Sequence, residues 1–165
     1  MSYLEHKKEA LKNLDCGVVT ISDTRTEEDD ASGKAIRQLL EDDGHKTVFY
    51  SIVKDEAGPI LSAVQEALGQ ADVVICNGGT GISPRDITIQ TLRPLFSEIL
   101  EGFGEIFRSL SYDEIGSSAM LSRAVAGVVG KDLLFCLPGS PNAVKLAMKE
   151  LILPEMGHML AQVRK

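Results

Sequence analysis

Apolar residues fall along this chain in two alternating kinds of run. Short continuous stretches over residues 16–21, 45–53, 73–76, 124–129 and 131–137 read as strands, most of them buried on both faces of a parallel sheet. Between them, Ile36, Leu39 and Leu40 recur at helical spacing and stop at Gly44, and Leu61, Val64 and Leu68 follow Pro59, placed for a first helical position. Phe103, Ile106, Phe107 and Leu110 mark an amphipathic helix over residues 102–110, its stripe read as core or subunit contact. Val144, Leu146, Ala147 and Leu151 follow Ser140-Pro141, an N-cap and first-turn proline, and residues 154–163 add a final turn or two. Strand–helix repetition predicts the α/β class: a three-layer α/β/α sandwich around a mostly parallel, doubly wound sheet. Residues 124–129 and 131–137 are separated only by Gly130, too little for a helical crossover, so they pair antiparallel and give the sheet an antiparallel edge. Residues 1–15 form a polar, lysine-rich arm ahead of a single domain over residues 16–165.

In such a sheet, ligands bind beyond the carboxyl ends of the strands, so the residues that end each run carry the candidate chemistry. The most pronounced lie after residues 73–76. Asn77 ends the strand, and Gly78, Gly79 and Gly81, with Thr80 among them, allow positive φ and close approach to the backbone, so that successive N–H groups converge on an anion. Ser83-Pro84-Arg85-Asp86 sets a cation and a carboxylate beside those amides, a combination suited to a phosphate and its magnesium ion. The loop has neither Gly-x-Gly-x-x-Gly nor a Lys-Ser/Thr pair after its last glycine, which excludes the dinucleotide and Walker fingerprints. A tight strand-to-helix connection is the alternative that loop chemistry leaves open. Ser22-Asp23-Thr24 and Asp55 end two more strands on the same edge, Asp55 either as an acid facing the crevice or as an exposed loop acid. Asp30 or Ser32 caps the first long helix, and Thr88 caps one over residues 89–96. In Leu137-Pro138-Gly139-Ser140-Pro141, a glycine beside a helix N-terminus makes a second anion site.

Charge and composition narrow the ligand. A net charge of −7 excludes a partner bound through excess Lys and Arg, so no nucleic acid is expected. An anionic ligand must then be held by local amides, Arg85 and a divalent cation rather than by the field of the whole chain. No apolar run approaches the ~20 residues of a membrane span, and the charged N-terminus has no signal-peptide core. Cys16, Cys76 and Cys136 sit singly in apolar runs, as core thiols in a reducing compartment do, which points to the cytoplasm. His6, His45 and His158 lack metal-ligand spacing.

Gly78-Gly79-Thr80-Gly81, then Pro84-Arg85-Asp86 and Thr88, then Leu137-Pro138-Gly139-Ser140-Pro141, together resemble the MoaB/MogA family of molybdenum cofactor biosynthesis proteins, over residues 16–153. Leu110-Ser111-Tyr112, Ala119-Met120-Leu121-Ser122-Arg123 and Pro138-Gly139-Ser140-Pro141-Asn142-Ala143-Val144 resemble its compact B-type branch. Ile89-Gln90 stands where Pro-Glu is common in the family, a departure that bears on helix geometry rather than on chemistry. The resemblance implies the molybdopterin-binding fold and molybdopterin adenylylation, with ATP and Mg2+ as co-substrate and ion, molybdopterin as substrate and no tightly bound prosthetic group. It implies Asp55 and Asp86 as catalytic aspartates that arrange magnesium. Gly78, Gly79, Thr80, Gly81, Ser83 and Arg85 would bind phosphate, Gly139 and Ser140 the pterin phosphate or dithiolene end, and Asp23, Ser32 and Gly33 would border the nucleotide. Residues 117–123 resemble a segment near the family's pterin pocket, where Arg123 meets either a phosphate or a surface ion pair. A homo-oligomer, hexamer or trimer, and contact with other molybdenum cofactor enzymes are implied as well. A non-catalytic molybdopterin carrier and a nucleotide pyrophosphatase on the same fold are the competing readings.

Overall fold

The computed structural model describes residues 2–165, apart from the side chain of His6. Among these residues the strands β1 (Asp15–Ile21), β2 (Lys46–Val53), β3 (Val73–Asn77), β4 (Glu98–Ile99), β5 (Val125–Val129) and β6 (Asp132–Leu137) form one sheet in the order β2-β1-β3-β6-β5-β4. The first three and β6 run parallel, β5 pairs antiparallel with β6, and β4 antiparallel with β5. Around it lie α1 (Tyr3–Lys8), α2 (Ala31–Asp42), α3 (Ala57–Leu68), α4 (Thr88–Leu92), α5 (Glu101–Ile115), α6 (Pro141–Ala147) and α7 (Leu153–Val163).

The period-2 geometry of the strands divides the apolar runs between two cores. Val18, Val73, Ile75, Leu133 and Phe135 pack on one face against Ile36 and Leu40 of α2, Phe107 of α5, Val144 of α6 and Met156 and Leu160 of α7. Val19, Val74, Cys76, Leu134 and Cys136 pack on the other face against Ile60 and Val64 of α3 and Ile89 and Leu92 of α4. Helices on both faces of a mixed sheet make the three-layer architecture. The chain leaves β1 toward the β2 side and leaves β3 toward the β6 side. That reversal opens a crevice at the carboxyl ends of β1 and β3, the switch point where ligands of open α/β sheets bind.

Several elements differ from their sequence expectation. The helix containing Pro59 starts two residues earlier, at Ala57, so the proline occupies the third position of the first turn, where its missing N–H is equally harmless. The helix after Thr88 ends at Leu92 and tightens into a 3₁₀ turn over Arg93–Leu95 around Pro94. α5 extends past residue 110 to Ile115, and its stripe splits: Phe107 is 1% exposed and stacks on Phe103, whereas Ile106 is 52% exposed. Pro154 does not interrupt the last helix, because a wider π-helical turn over Met148–Ile152 carries α6 into α7. The N-terminal arm holds α1 and is pinned to α7, where the Leu11 N–H donates to the Gly157 carbonyl at 3.0 Å and Lys7 pairs with Glu155 at 3.1 Å. β4, only two residues long, carries no periodicity by which a sequence could announce it.

Candidate active site

Four strand ends converge on one edge, and the glycine loop after β3 is shaped by contacts that only glycine permits. Gly78 has φ +102°, and a Cβ there would collide with the Ile21 carbonyl at the end of β1. Gly79 has φ +68°, and a Cβ there would collide with the Thr88 hydroxyl and lie 3.2 Å from Asp55 Oδ1. The Asp55 carboxylate therefore faces the turn of the loop.

The hydrogen bonds of this turn are one-sided. The Gly78 carbonyl accepts from the Thr88 hydroxyl at 2.8 Å and the Gly79 carbonyl from the Thr88 N–H at 3.1 Å. The Thr80 carbonyl accepts from the Arg123 N–H at 3.0 Å and the Gly81 carbonyl from Arg123 Nε at 2.9 Å. Every carbonyl from residue 78 to 81 is thus engaged. Among the described residues, the amides of Gly79, Thr80 and Gly81 donate to nothing in the chain. Buried or half-buried N–H groups without a partner are rare, and successive free amides are the kind of donor set that can receive an anion.

Asp86 closes the loop. Its Oδ2 accepts from the Ser83 N–H at 2.9 Å, its own N–H donates to the Ser83 carbonyl at 2.9 Å, and a Cβ on Gly81 would stand 2.7 Å from that Oδ2. Asp23, after β1, accepts the Asp55 N–H at 3.1 Å on Oδ1 and Arg85 Nε at 2.8 Å on Oδ2. Arg85 is thus paired with Asp23 in this structure while remaining largely exposed. Three carboxylates, Asp23, Asp55 and Asp86, share the crevice with that guanidinium. Partial burial and then the negative charge of Asp23 push the Asp55 carboxyl above the ordinary aspartate value, with Asp86 adding to the rise and Arg85 opposing it. Asp23 moves the other way, drawn below its ordinary value first by the Asp55 N–H and then by Arg85.

The loop after β6 repeats the one-sided pattern. The Gly139 carbonyl accepts from the Ser32 hydroxyl at 2.7 Å and Arg25 Nη2 at 2.9 Å, and Ser140 Oγ caps α6 by accepting the Ala143 N–H at 3.2 Å. The amides of Gly139 and Ser140 donate to nothing among the described residues. A Cβ on Gly139 would lie 3.3 Å from Gly78 Cα, so the two loops touch backbone to backbone. Ser32 and Gly33 reach this edge from beneath: both are buried, and the Gly33 N–H donates to Asp30 at 2.9 Å.

Sequence reasoning missed three participants. Thr88 does not cap its helix; its hydroxyl staples Gly78. Arg123 makes no ion pair with a carboxylate among the described residues; its side chain holds loop carbonyls. Asp30 caps α2, as its position implies, and is also a fully buried hub that accepts from Thr20 Oγ1 at 2.7 Å and from the Tyr50 hydroxyl at 2.6 Å. Thr20 in turn accepts from Asn77 Nδ2 at 2.9 Å. A capping residue is legible in sequence, but a hub assembled from β1, β2 and β3 is not.

No group of three His, Cys, Asp or Glu side chains that could hold a metal ion occurs among the described residues. Magnesium asks for less, since it keeps most of its waters and takes one or two carboxylates beside phosphate oxygens. Asp55 and Asp86, both at the glycine loop, fit that demand. All three cysteines are buried and free, and no helix among the described residues is long and apolar enough to cross a membrane.

Comparison with known proteins follows the same outline. The family model described as the probable molybdopterin binding domain matches residues 17–158. Molybdenum cofactor biosynthesis protein B of Bacillus subtilis is 52% identical over 168 aligned positions, covering 100% of this chain and 99% of that protein; the Bacillus cereus protein of the same name is 51% identical with the same coverage. Among solved structures, a molybdenum cofactor biosynthesis protein B superposes with a TM-score of 0.90 at 51% identity, over 93% of this chain and 97% of the other. The tungsten cofactor synthesizing protein MoaB from Pyrococcus furiosus superposes with a TM-score of 0.87 at 43% identity, over 94% and 100%.

Proposed function

The chain belongs to the molybdopterin-binding domain family of molybdenum cofactor biosynthesis proteins, and from that premise we propose that it is a molybdopterin adenylyltransferase, using ATP with Mg2+ to make adenylyl-molybdopterin and pyrophosphate. The observation that carries the proposal is the polarity of the turn over residues 78–81, with its carbonyls engaged inside the chain and three amides left to a guest. In the reaction, an oxygen of the pterin's terminal phosphate attacks the α-phosphorus of ATP. The new O–P bond forms as the bond from the α-phosphorus to the bridging oxygen breaks, and pyrophosphate leaves with that electron pair. Two polyanions must meet, so neutralisation and alignment dominate, and no protein nucleophile is needed.

In this reading the amides of Gly79, Thr80 and Gly81 receive phosphate oxygens, and Ser83 holds the loop by its N–H to Asp86. The amides of Gly139 and Ser140 receive the pterin phosphate, and Asp23, Ser32 and Gly33 border the nucleotide, Ser32 by fixing the Gly139 carbonyl. Asp55 and Asp86 would hold the magnesium ion, which supplies positive charge to the phosphates when bound. Arg85 exchanges Asp23 for a phosphate oxygen as the nucleotide arrives. A cytoplasmic homo-oligomer, hexamer or trimer, belongs to the same proposal, with exposed Ile106, Tyr112, Ile115 and Met120 as apolar contact surface. The test is pyrophosphate release from Mg-ATP with and without molybdopterin. Pterin-dependent release is expected. Pterin binding without release would assign a carrier instead, and release without pterin a pyrophosphatase.

A further inference from the structure

Arg123 stands outside the strand-end loops, in the extended segment between the 3₁₀ turn Gly116–Leu121 and β5, yet it grips the glycine loop at both ends. Its main-chain N–H donates to the Thr80 carbonyl at 3.0 Å and its Nε to the Gly81 carbonyl at 2.9 Å. On the far side of the exposed residues 82–85, its Nη2 donates to the Asp86 carbonyl at 2.6 Å, and its Nη1 reaches Gln90 Oε1 of α4 at 3.3 Å. Two consequences follow from the chemistry of a guanidinium. Its planar fork fixes the relative position of the carbonyls it joins, as the single ammonium of a lysine cannot. Its charge also lies against carbonyls and a neutral amide; it has no ion-pair partner among the described residues. A cation without an ion-pair partner therefore sits on the carbonyl side of a turn whose Gly79, Thr80 and Gly81 amides are unpartnered.

We infer that Arg123 is the positioning residue of this site: its fork holds the segment between Gly81 and Asp86 in one conformation, and its unpaired charge biases the loop toward an anion. The inference rests on the adenylyltransferase reading for its effect on turnover, but not for its effect on the loop. Inner closure of the loop comes from Thr88 and from the Gly78 N–H bond to the Leu137 carbonyl, so without the Arg123 side chain the outer end keeps only the Arg123 main-chain bond to Thr80 and the bonds within residues 83–87.

The two roles separate by substitution. Arg123→Lys keeps the charge and loses the fork, Arg123→Met loses both, and Gln90→Glu keeps the fork while neutralising the charge. Amide hydrogen exchange is read first, with no substrate present, at the N–H groups of Asp86, Ile87 and Thr88, which are bonded to loop carbonyls. Exchange there is expected to accelerate by roughly tenfold or more in Arg123→Met and Arg123→Lys and to stay unchanged in Gln90→Glu, with the strand amides of β3 unaffected in all three. In the pterin-dependent reaction, Arg123→Lys should lower kcat by roughly 10- to 100-fold with little change in KM for ATP, as expected of lost alignment. Gln90→Glu should raise KM for ATP with kcat nearly kept. Unchanged exchange in Arg123→Lys would overturn the inference whatever the reaction proves to be. A wild-type protein that releases no pyrophosphate would overturn the functional reading and leave the exchange result to decide the role of Arg123. Should Arg123→Met fail to fold, Arg123→Lys carries the same comparison.

Discussion

Replacing Asp55 with Asn should move stability and activity in opposite directions. The carboxylate sits half-buried at the glycine turn, with Asp23 and Asp86 raising its pKa and Arg85 opposing them. Because burial and Asp23 raise its pKa, the folded chain holds the Asp55 proton more tightly than the unfolded chain does, and ionisation therefore costs stability. That cost is absent below the ordinary aspartate value of 3.8, grows as pH rises toward the higher folded value, and is complete above it. Asn removes the charge while leaving the main-chain bond from residue 55 to Asp23. The variant should thus resist urea at least as well as the parent at neutral pH, with any advantage shrinking as the medium is acidified past the folded pKa. Activity should fall. Opposite unit charges about 4 Å apart at an effective dielectric of about 20 attract by about 4 kcal/mol. With partial solvent access, a loss of about 3 kcal/mol of transition-state stabilisation, or roughly two orders of magnitude in rate, is the expected scale. The assay pairs pterin-dependent pyrophosphate release with urea melts at neutral and acid pH. Parental turnover in Asp55→Asn would refute the catalytic assignment, and a variant clearly less stable at neutral pH would refute the electrostatic one.

Three other substitutions probe the scaffold. Gly79→Ala forces a side chain into a φ of +68° against Thr88 and Asp55, so calorimetry should report a loss of about 1–3 kcal/mol of stability, together with weaker ATP binding. Ser32→Ala removes one of two donors to the Gly139 carbonyl; a urea midpoint lowered by the equivalent of about 1 kcal/mol is expected, and an unchanged midpoint would mean that Arg25 suffices. Phe107→Ala opens a cavity beneath Phe103 and should cost about 3–5 kcal/mol in chemical denaturation.

The five longer strands and the antiparallel pairing of the last two were legible because strands buried on both faces are continuously apolar, and because Gly130 leaves no room for a crossover; β4 was not. The glycine loop was legible for a similar reason: where positive φ coincides with a close neighbour, as at Gly78 and Gly79, no side chain fits. Contacts that join distant segments left no such mark. A threonine opening a helix reads as a cap whether its hydroxyl turns inward to its own helix or, as Thr88 does, outward to Gly78. An arginine after a turn reads as surface charge, although Arg123 is bonded to the carbonyls of Gly81 and Asp86. The continuation of the last helix through Pro154 was equally hidden, because a π-turn adjusts hydrogen-bond spacing without any required residue type.

The meeting of Gly78 with Gly139 acts as a fixed calliper. Main chain meets main chain there with no rotamer between, so in the proposed reading backbone thickness helps to set the spacing between the two anionic ends of a guest. Rim side chains that do not hold these loops can therefore change which guest is preferred while leaving that spacing in place.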